Sequence, residues 1–138
     1  MFISFAYELS LRNSVSFVEQ LVQHLIANGA DLSNTVLQTD NGSEFIGSRN
    51  AKKDSAFTEK VESYSMIHKT IPPKAHTWQA DTETSHNLIE YEFYTIEAFN
   101  STHYLQQKMG VYLLWFNFLR KNSYKENQTP LQIWISKF

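Results

Sequence analysis

The heptapeptide Thr39-Asp40-Asn41-Gly42-Ser43-Glu44-Phe45 constrains this chain more than any other stretch, because a short apolar run, Thr35-Val36-Leu37, comes just before it. Such a run reads as a buried strand. Asp40 then falls at the strand's carboxyl end, where open α/β sheets place their ligands. Asn41-Gly42 is expected to turn the backbone sharply, since both residues tolerate positive φ. A carboxylate fixed at a strand end beside a tight turn suits a hard divalent cation. An ordinary surface turn uses the same Asp-Asn-Gly sequence, so both readings stand on these residues alone.

A second block runs from residue 72 to residue 94. Pro72-Pro73 ends a strand expected over Met66 to Ile71 and forces an extended linker. A helix is expected to start near Trp78 or Gln79, with Thr77 as its N-cap. At 100° per residue, Gln79, Glu83, His86, Asn87, Glu90 and Tyr94 share one polar arc, and Leu88, Ile89, Phe93 and Ile96 face the sheet. Glu83 thus points away from the core, one turn into the helix. A solvated acidic face reads the same way.

The other segments read as scaffold. Residues 14–28 predict an amphipathic helix with Phe17, Val18, Leu21, Val22, Leu25 and Ile26 inward. Ser16 and Glu19 would form its capping box, Asn28-Gly29 its stop, and His24 an exposed position. Asp54 is expected to cap a shorter helix through about Tyr64, with Phe57 and Val61 inward, and residues 42–53 to form a polar loop. Residues 102–121 predict a long helix that is apolar nearly all round and so buried on most sides.

With 138 residues there is room for one domain with a core, and an aromatic content of 14% argues for a packed interior rather than disorder. The absence of cysteine excludes disulfides and zinc–thiolate sites and suits a cytoplasmic setting. No apolar run approaches a bilayer's thickness, and Glu8 makes the start unlike a signal peptide, so no membrane partner is expected. The net charge of −2 divides unevenly along the chain. Residues 1–48 carry −4, residues 49–74 carry +3, residues 75–100 carry −5 and the remainder +4. Basic segments therefore flank the acidic Glu83 block on both sides, placed for holding phosphates. Ordinary solvated charges are the alternative.

Taken together, the heptapeptide and Trp78-Gln79-Ala80-Asp81-Thr82-Glu83-Thr84-Ser85-His86, followed by Leu88-Ile89-Glu90 and Glu92-Phe93-Tyr94, resemble the catalytic core of DDE transposases and retroviral-type integrases, especially those of bacterial insertion sequences. A third stretch, Phe116 to Lys125 with Thr129-Pro130, resembles the same family. The resemblance implies an α/β, ribonuclease H-like fold, with a five-stranded mixed sheet flanked by helices, over a single domain of residues 1–138. It makes Asp40 the second catalytic aspartate and Glu83 the glutamate, 43 positions apart. Both would be catalytic and metal-binding, in a two-ion site for magnesium or manganese. The implied reaction is phosphodiester cleavage followed by DNA strand transfer, with element ends and target DNA as partners. Asn41, Arg49, Lys52, Lys53, Lys74, His76, Gln79 and Asn87 are the residues expected to contact DNA, and Trp78 is expected in the core.

The chain departs from that family's pattern at its start. Phe2-Ile3-Ser4-Phe5-Ala6-Tyr7 resembles the family's third strand, and none of Glu8, Glu19 and Asp31 sits where a first-strand aspartate belongs. The expectation is a partial core without its first two strands and one metal ligand. Its free edge at Phe2 to Tyr7 and its apolar last long helix would favour self-association. It is expected either to perform DNA integration with a segment supplied from elsewhere or to be a non-catalytic remnant that binds DNA or a full-length transposase.

Overall fold

A computed structural model describes residues 1–47, 53–72 and 80–137. The expectations for Arg49, Lys52, Lys74, His76, Thr77, Trp78 and Gln79 lie outside the described residues. The chain divides into two compact units, one of Ser4–Ala75 and one of Met1–Ile3 with His76–Phe138.

In the first unit, α1 spans Leu11–Ala27 and starts earlier than residue 14. Ser10, in extended backbone, accepts the Asn13 N–H at 3.3 Å and so caps the helix well ahead of Ser16. Ser16 instead lies inside α1, accepting from Gln20 Nε2. Gly29 takes a φ of +81° just past the end, as the Asn-Gly stop requires. Val18 and Val22 are buried, while Ile26, 57% exposed, falls off the inward stripe.

Strand β1, Val36–Thr39, pairs in parallel with β2, Ile67–Thr70, in the register Val36↔Ile67 to Thr39↔Thr70. Parallel neighbours need a crossover. It contains α2, Ser43–Ile46, within the expected loop, and α3, Ala56–Glu62. Ser55 rather than Asp54 caps α3, accepting the Thr58 N–H at 3.1 Å. Phe57 and Val61 point inward as expected and close a core with Val18, Val22, Leu32 and Met66. β1 is half-buried in alternation, not buried: Val36 is 46% exposed.

Two further expectations are corrected here. Phe2 to Tyr7 forms no strand, and the only sheet among the described residues is the parallel pair β1–β2. A strand persists only where its backbone groups find a ladder, and Phe2 to Tyr7 finds none among the described residues. Nor do Asn41 and Gly42 use positive φ; Gly42 sits at φ −61°, ψ 144°, as the residue preceding α2.

In the second unit, α4 spans Ala80–Ile89 and continues as a π-helical turn, Glu90–Tyr94. The Thr95 N–H reaches the Glu90 carbonyl at 2.9 Å, a wide turn that shifts the helical phase. Phe93 is buried as its arc predicts, but Ile96, beyond the end of the turn, is 72% exposed. Helix α5, Thr102–Phe118, is capped by Ser101 and packs Met109 and Tyr112 on Phe93, joined by Ile89, Phe99, Leu105 and Phe116. The rest of its apolar surface is open, with Val111, Leu114, Trp115 and Phe118 between 40% and 64% exposed. Helix α6, Pro130–Ile135, starts at a complete capping box between Thr129 and Gln132. No described helix is long and apolar enough to cross a membrane.

Candidate active site

Asp40 is the first residue after β1 and is exposed. Its Oδ1 accepts the Gly42 N–H at 2.8 Å, so the carboxylate is held by its own turn. The next side chain ties the turn to the sheet: Asn41 Nδ2 donates to the Ile71 carbonyl, just past β2, at 2.9 Å. That donor is engaged in structure, which limits what Asn41 can offer a DNA strand. Glu44, in the first turn of α2, folds back over Gly42. A Cβ built on Gly42 would stand 2.5 Å from Glu44 Oε2, the far end of a flexible side chain that can swing aside.

Behind the turn lies a layer that sequence reasoning missed. His68 on β2 places Nε2 2.9 Å from Thr39 Oγ1 and Nδ1 2.8 Å from Thr58 Oγ1. Its ring stands edge-on to Phe57, with centroids 5.0 Å apart, and Phe57 meets Phe45 in the same way. Burial pushes the His68 pKa down, against the opposing charge of Glu62. No sequence signal marked His68, since a lone histidine in a four-residue strand carries no pattern.

Glu83, His86 and Asn87 are exposed on α4, and Glu90 is exposed at the start of the π-helical turn. The polar face expected for this helix is therefore present over the described residues. Asp40 belongs to the Ser4–Ala75 unit and Glu83 to the other. Lys53 is exposed beside α3.

The remaining acidic residues ahead of Asp40 are occupied elsewhere or lie in solvent. Glu19 on α1 pairs with Lys60 at 2.6 Å. Asp31 accepts the Ser33 hydroxyl and N–H, at 2.6 and 2.9 Å, which hold its carboxyl below the usual range. Glu8 is exposed just before α1. Asp40 and Glu83 offer the hard oxygen donors that magnesium or manganese takes. Among the described residues, however, no group of three His, Cys, Asp or Glu side chains is gathered to hold a metal.

This architecture has clear counterparts. It superposes with a TM-score of 0.70 on a chain of the simian T-cell lymphotropic virus intasome in complex with PP2A regulatory subunit B56 gamma, at 17% identity, covering 94% of this chain and 41% of that one. The catalytic core domain of BIV integrase matches with a TM-score of 0.62, again at 17% identity, covering 97% of this chain and 76% of that one. The fold is that of an integrase catalytic core. The ribonuclease H-like class expected from the motifs thus holds, in a form with two described strands. In sequence, the chain is 28% identical over 134 residues to ORF3 of Spiroplasma virus SpV1-C74, a protein named as an integrase. That match covers 93% of this chain but 37% of the relative's length. No family model matches the chain.

Proposed function

We propose that this integrase-type core serves DNA integration, as the part of a strand-transfer enzyme that contributes Asp40 and Glu83 to a shared divalent-cation site. The observation that carries the reading is Asp40 itself: an exposed carboxylate just past β1, fixed by the Gly42 N–H, within an integrase-core fold. Residues 1–138 act as one core domain in this reading, with Asp40 and Glu83 both serving as ligands for magnesium or manganese. The cation would activate a phosphodiester for attack by water or a 3′ hydroxyl. This chain's own residues would bind and orient: Asp40 and Glu83 hold the cation, and the basic segment containing Arg49, Lys52 and Lys53 holds DNA phosphates. Lys74, His76, Gln79 and Asn87, which lie near Glu83 in the sequence, would contact DNA as well. DNA is thus the partner, with a second copy or a full-length transposase as protein partner, in a cytoplasmic setting and within a mobile element such as an insertion sequence.

The third carboxylate of such a site comes from outside these residues, because Glu8, Glu19 and Asp31 lie off the strands and two of them are engaged elsewhere. The same observation favours a second reading, a non-catalytic remnant that binds DNA or a full-length relative. Manganese titration of the isotope-labelled chain tests the shared site. Amide signals around Asp40 and around Glu83 should broaden together, and Asp40→Asn should suppress both. Independent broadening at the two places would refute the pairing. Metal-dependent strand transfer by the chain alone, abolished by Asp40→Ala and by Glu83→Ala, would exclude the remnant reading.

A further inference from the structure

We propose that His68 is a positioning residue for Asp40, anchoring the start of the Asp40-bearing heptapeptide, at Thr39, to the core behind it. This inference rests on the reading of Asp40 as a cation ligand. It arises from a chain of polar contacts within the Ser4–Ala75 unit. His68 Nε2 meets Thr39 Oγ1 at 2.9 Å, and the Thr39 hydroxyl donates to the carbonyl oxygen of Asp40 at 3.0 Å. On its other side, His68 Nδ1 meets Thr58 Oγ1 at 2.8 Å, Thr58 Oγ1 lies 3.1 Å from Ser55 Oγ, and the Ser55 hydroxyl donates to the Phe45 carbonyl. Thr39 and Phe45 are the first and last residues of the heptapeptide. One imidazole therefore ties the start of the loop that carries the acid to Thr58 on α3.

Proton counting fixes how the ring does this. Thr39 has one hydroxyl proton, and the Asp40 carbonyl takes it, so Thr39 Oγ1 accepts from His68. The neutral ring then carries its proton on Nε2, which leaves Nδ1 to accept from the Thr58 hydroxyl. Ser55 Oγ in turn accepts the Thr58 backbone N–H at 3.1 Å while its own proton goes to Phe45, so the link from Thr58 to Ser55 runs through that N–H and the 3.1 Å approach of the two hydroxyl oxygens carries no proton. A side chain that donates at one end and accepts at the other, across the width of a flat ring, satisfies both threonines at once. The edge-on stacking of Phe45, Phe57 and His68 holds the ring plane in that orientation. A histidine that merely filled the core would need only one of these contacts, and its loss would loosen the unit without selecting the Asp40 turn.

The two halves of the ring can be tested separately. Glutamine places its amide nitrogen near Nε2 and keeps the bond to Thr39, whereas asparagine reaches only Thr58. Wild type, His68→Gln, His68→Asn and Thr39→Val are compared in the full chain by thermal unfolding, by hydrogen exchange of the Gly42 amide, and by Mn²⁺-induced broadening of the amides of residues 40–45. At similar thermal midpoints, His68→Gln should keep Gly42 exchange and Mn²⁺ affinity close to wild type. His68→Asn should speed exchange and weaken Mn²⁺ roughly ten-fold, the scale at which outer partners of metal ligands act. Thr39→Val, which removes only the hydroxyl, should match His68→Asn and carries the test if that variant fails to fold. If the glutamine and asparagine variants behave alike, or Thr39→Val changes nothing, the proposal is overturned. Asp40→Asn separates the two readings. Unchanged Mn²⁺ broadening in that variant, with Gly42 exchange still accelerated in His68→Asn, would sink the cation assignment and leave the positioning contact standing.

Discussion

Arg120 grips Glu92 with three hydrogen bonds: Nε donates to both carboxylate oxygens, at 2.9 and 2.8 Å, and Nη2 to Oε1 at 2.6 Å. The pair joins the chain beyond α5 to the π-helical turn, and Tyr112 adds a hydroxyl donor to Glu92 Oε2 at 3.1 Å. Both ionic side chains are about a quarter exposed or less, so water competes weakly for them. Arg120 thus serves the packing of its own unit, through a forked geometry that a lysine ammonium lacks.

Arg120→Met should therefore destabilise the protein by about 2 kcal/mol, the usual scale for hydrogen bonds to a charged group. Arg120→Lys should recover only part of that loss. Denaturant unfolding of the two variants beside wild type checks the order.

Tyr112 gives an alkaline signature. Burial first, and the Glu92 carboxylate next, push its pKa up to about 12 from an ordinary 10. The folded state therefore keeps the phenol proton longer than the unfolded state does. This contribution is complete below pH 10 and is lost as the pH rises toward 12. Between pH 9 and pH 11 wild type should lose on the order of 1 kcal/mol more stability than Tyr112→Phe. Equal losses in the two proteins would disprove the assignment.

His68 should act at the acid side. Its folded pKa lies below the ordinary 6.5 because burial disfavours the imidazolium. The unfolded chain then binds the proton first, so the stability it provides is present above pH 6.5 and lost as the pH falls through the lower folded value. Thermal midpoints recorded from pH 7 to pH 5 should drop more steeply for wild type than for His68→Gln.

Ser55 caps α3 and also donates to the Phe45 carbonyl. Ser55→Ala should cost about 1–2 kcal/mol, the upper part of the range for an N-cap, because a half-buried carbonyl also loses its donor. Ser55→Thr should retain most of the stability. Unfolding midpoints of the two variants give the comparison.

The open face of α5 predicts self-association. Val111, Leu114 and Phe118 are each more than half exposed, an apolar surface of the kind that finds a partner. Sedimentation velocity should show concentration-dependent association, reduced in Leu114→Glu. A clean monomer across micromolar concentrations would contradict this.

Local patterns were legible wherever a signal was confined to a few neighbouring residues. The strand expected over Met66 to Ile71 appears as β2, the inward faces of α1 and α3 center on Val18, Val22, Phe57 and Val61, and Asn28-Gly29 stops α1 as its chemistry requires. Errors arose where two local signals competed or a partner was needed. Ser10 outcompeted Ser16 as a cap because it stands in extended backbone before the first apolar residue. Phe2 to Tyr7 has strand composition but no ladder among the described residues, and Ile96 is exposed although its spacing pointed in, because the helical turn ends at Tyr94 before reaching it.

What the sequence determined by itself was the identity and placement of the acid: a carboxylate after an apolar run, followed by Asn-Gly, has to sit at a strand end in a turn. The tertiary structure decided how that acid is held. Gly42 offers its N–H to Asp40, Asn41 reaches Ile71, and His68, 28 positions beyond Asp40, anchors Thr39 from the neighbouring strand. The physical reason is range: capping, turn chemistry and hydrophobic period act over a few residues, whereas a bond from Thr39 to His68 exists only because parallel pairing brings β1 and β2 side by side.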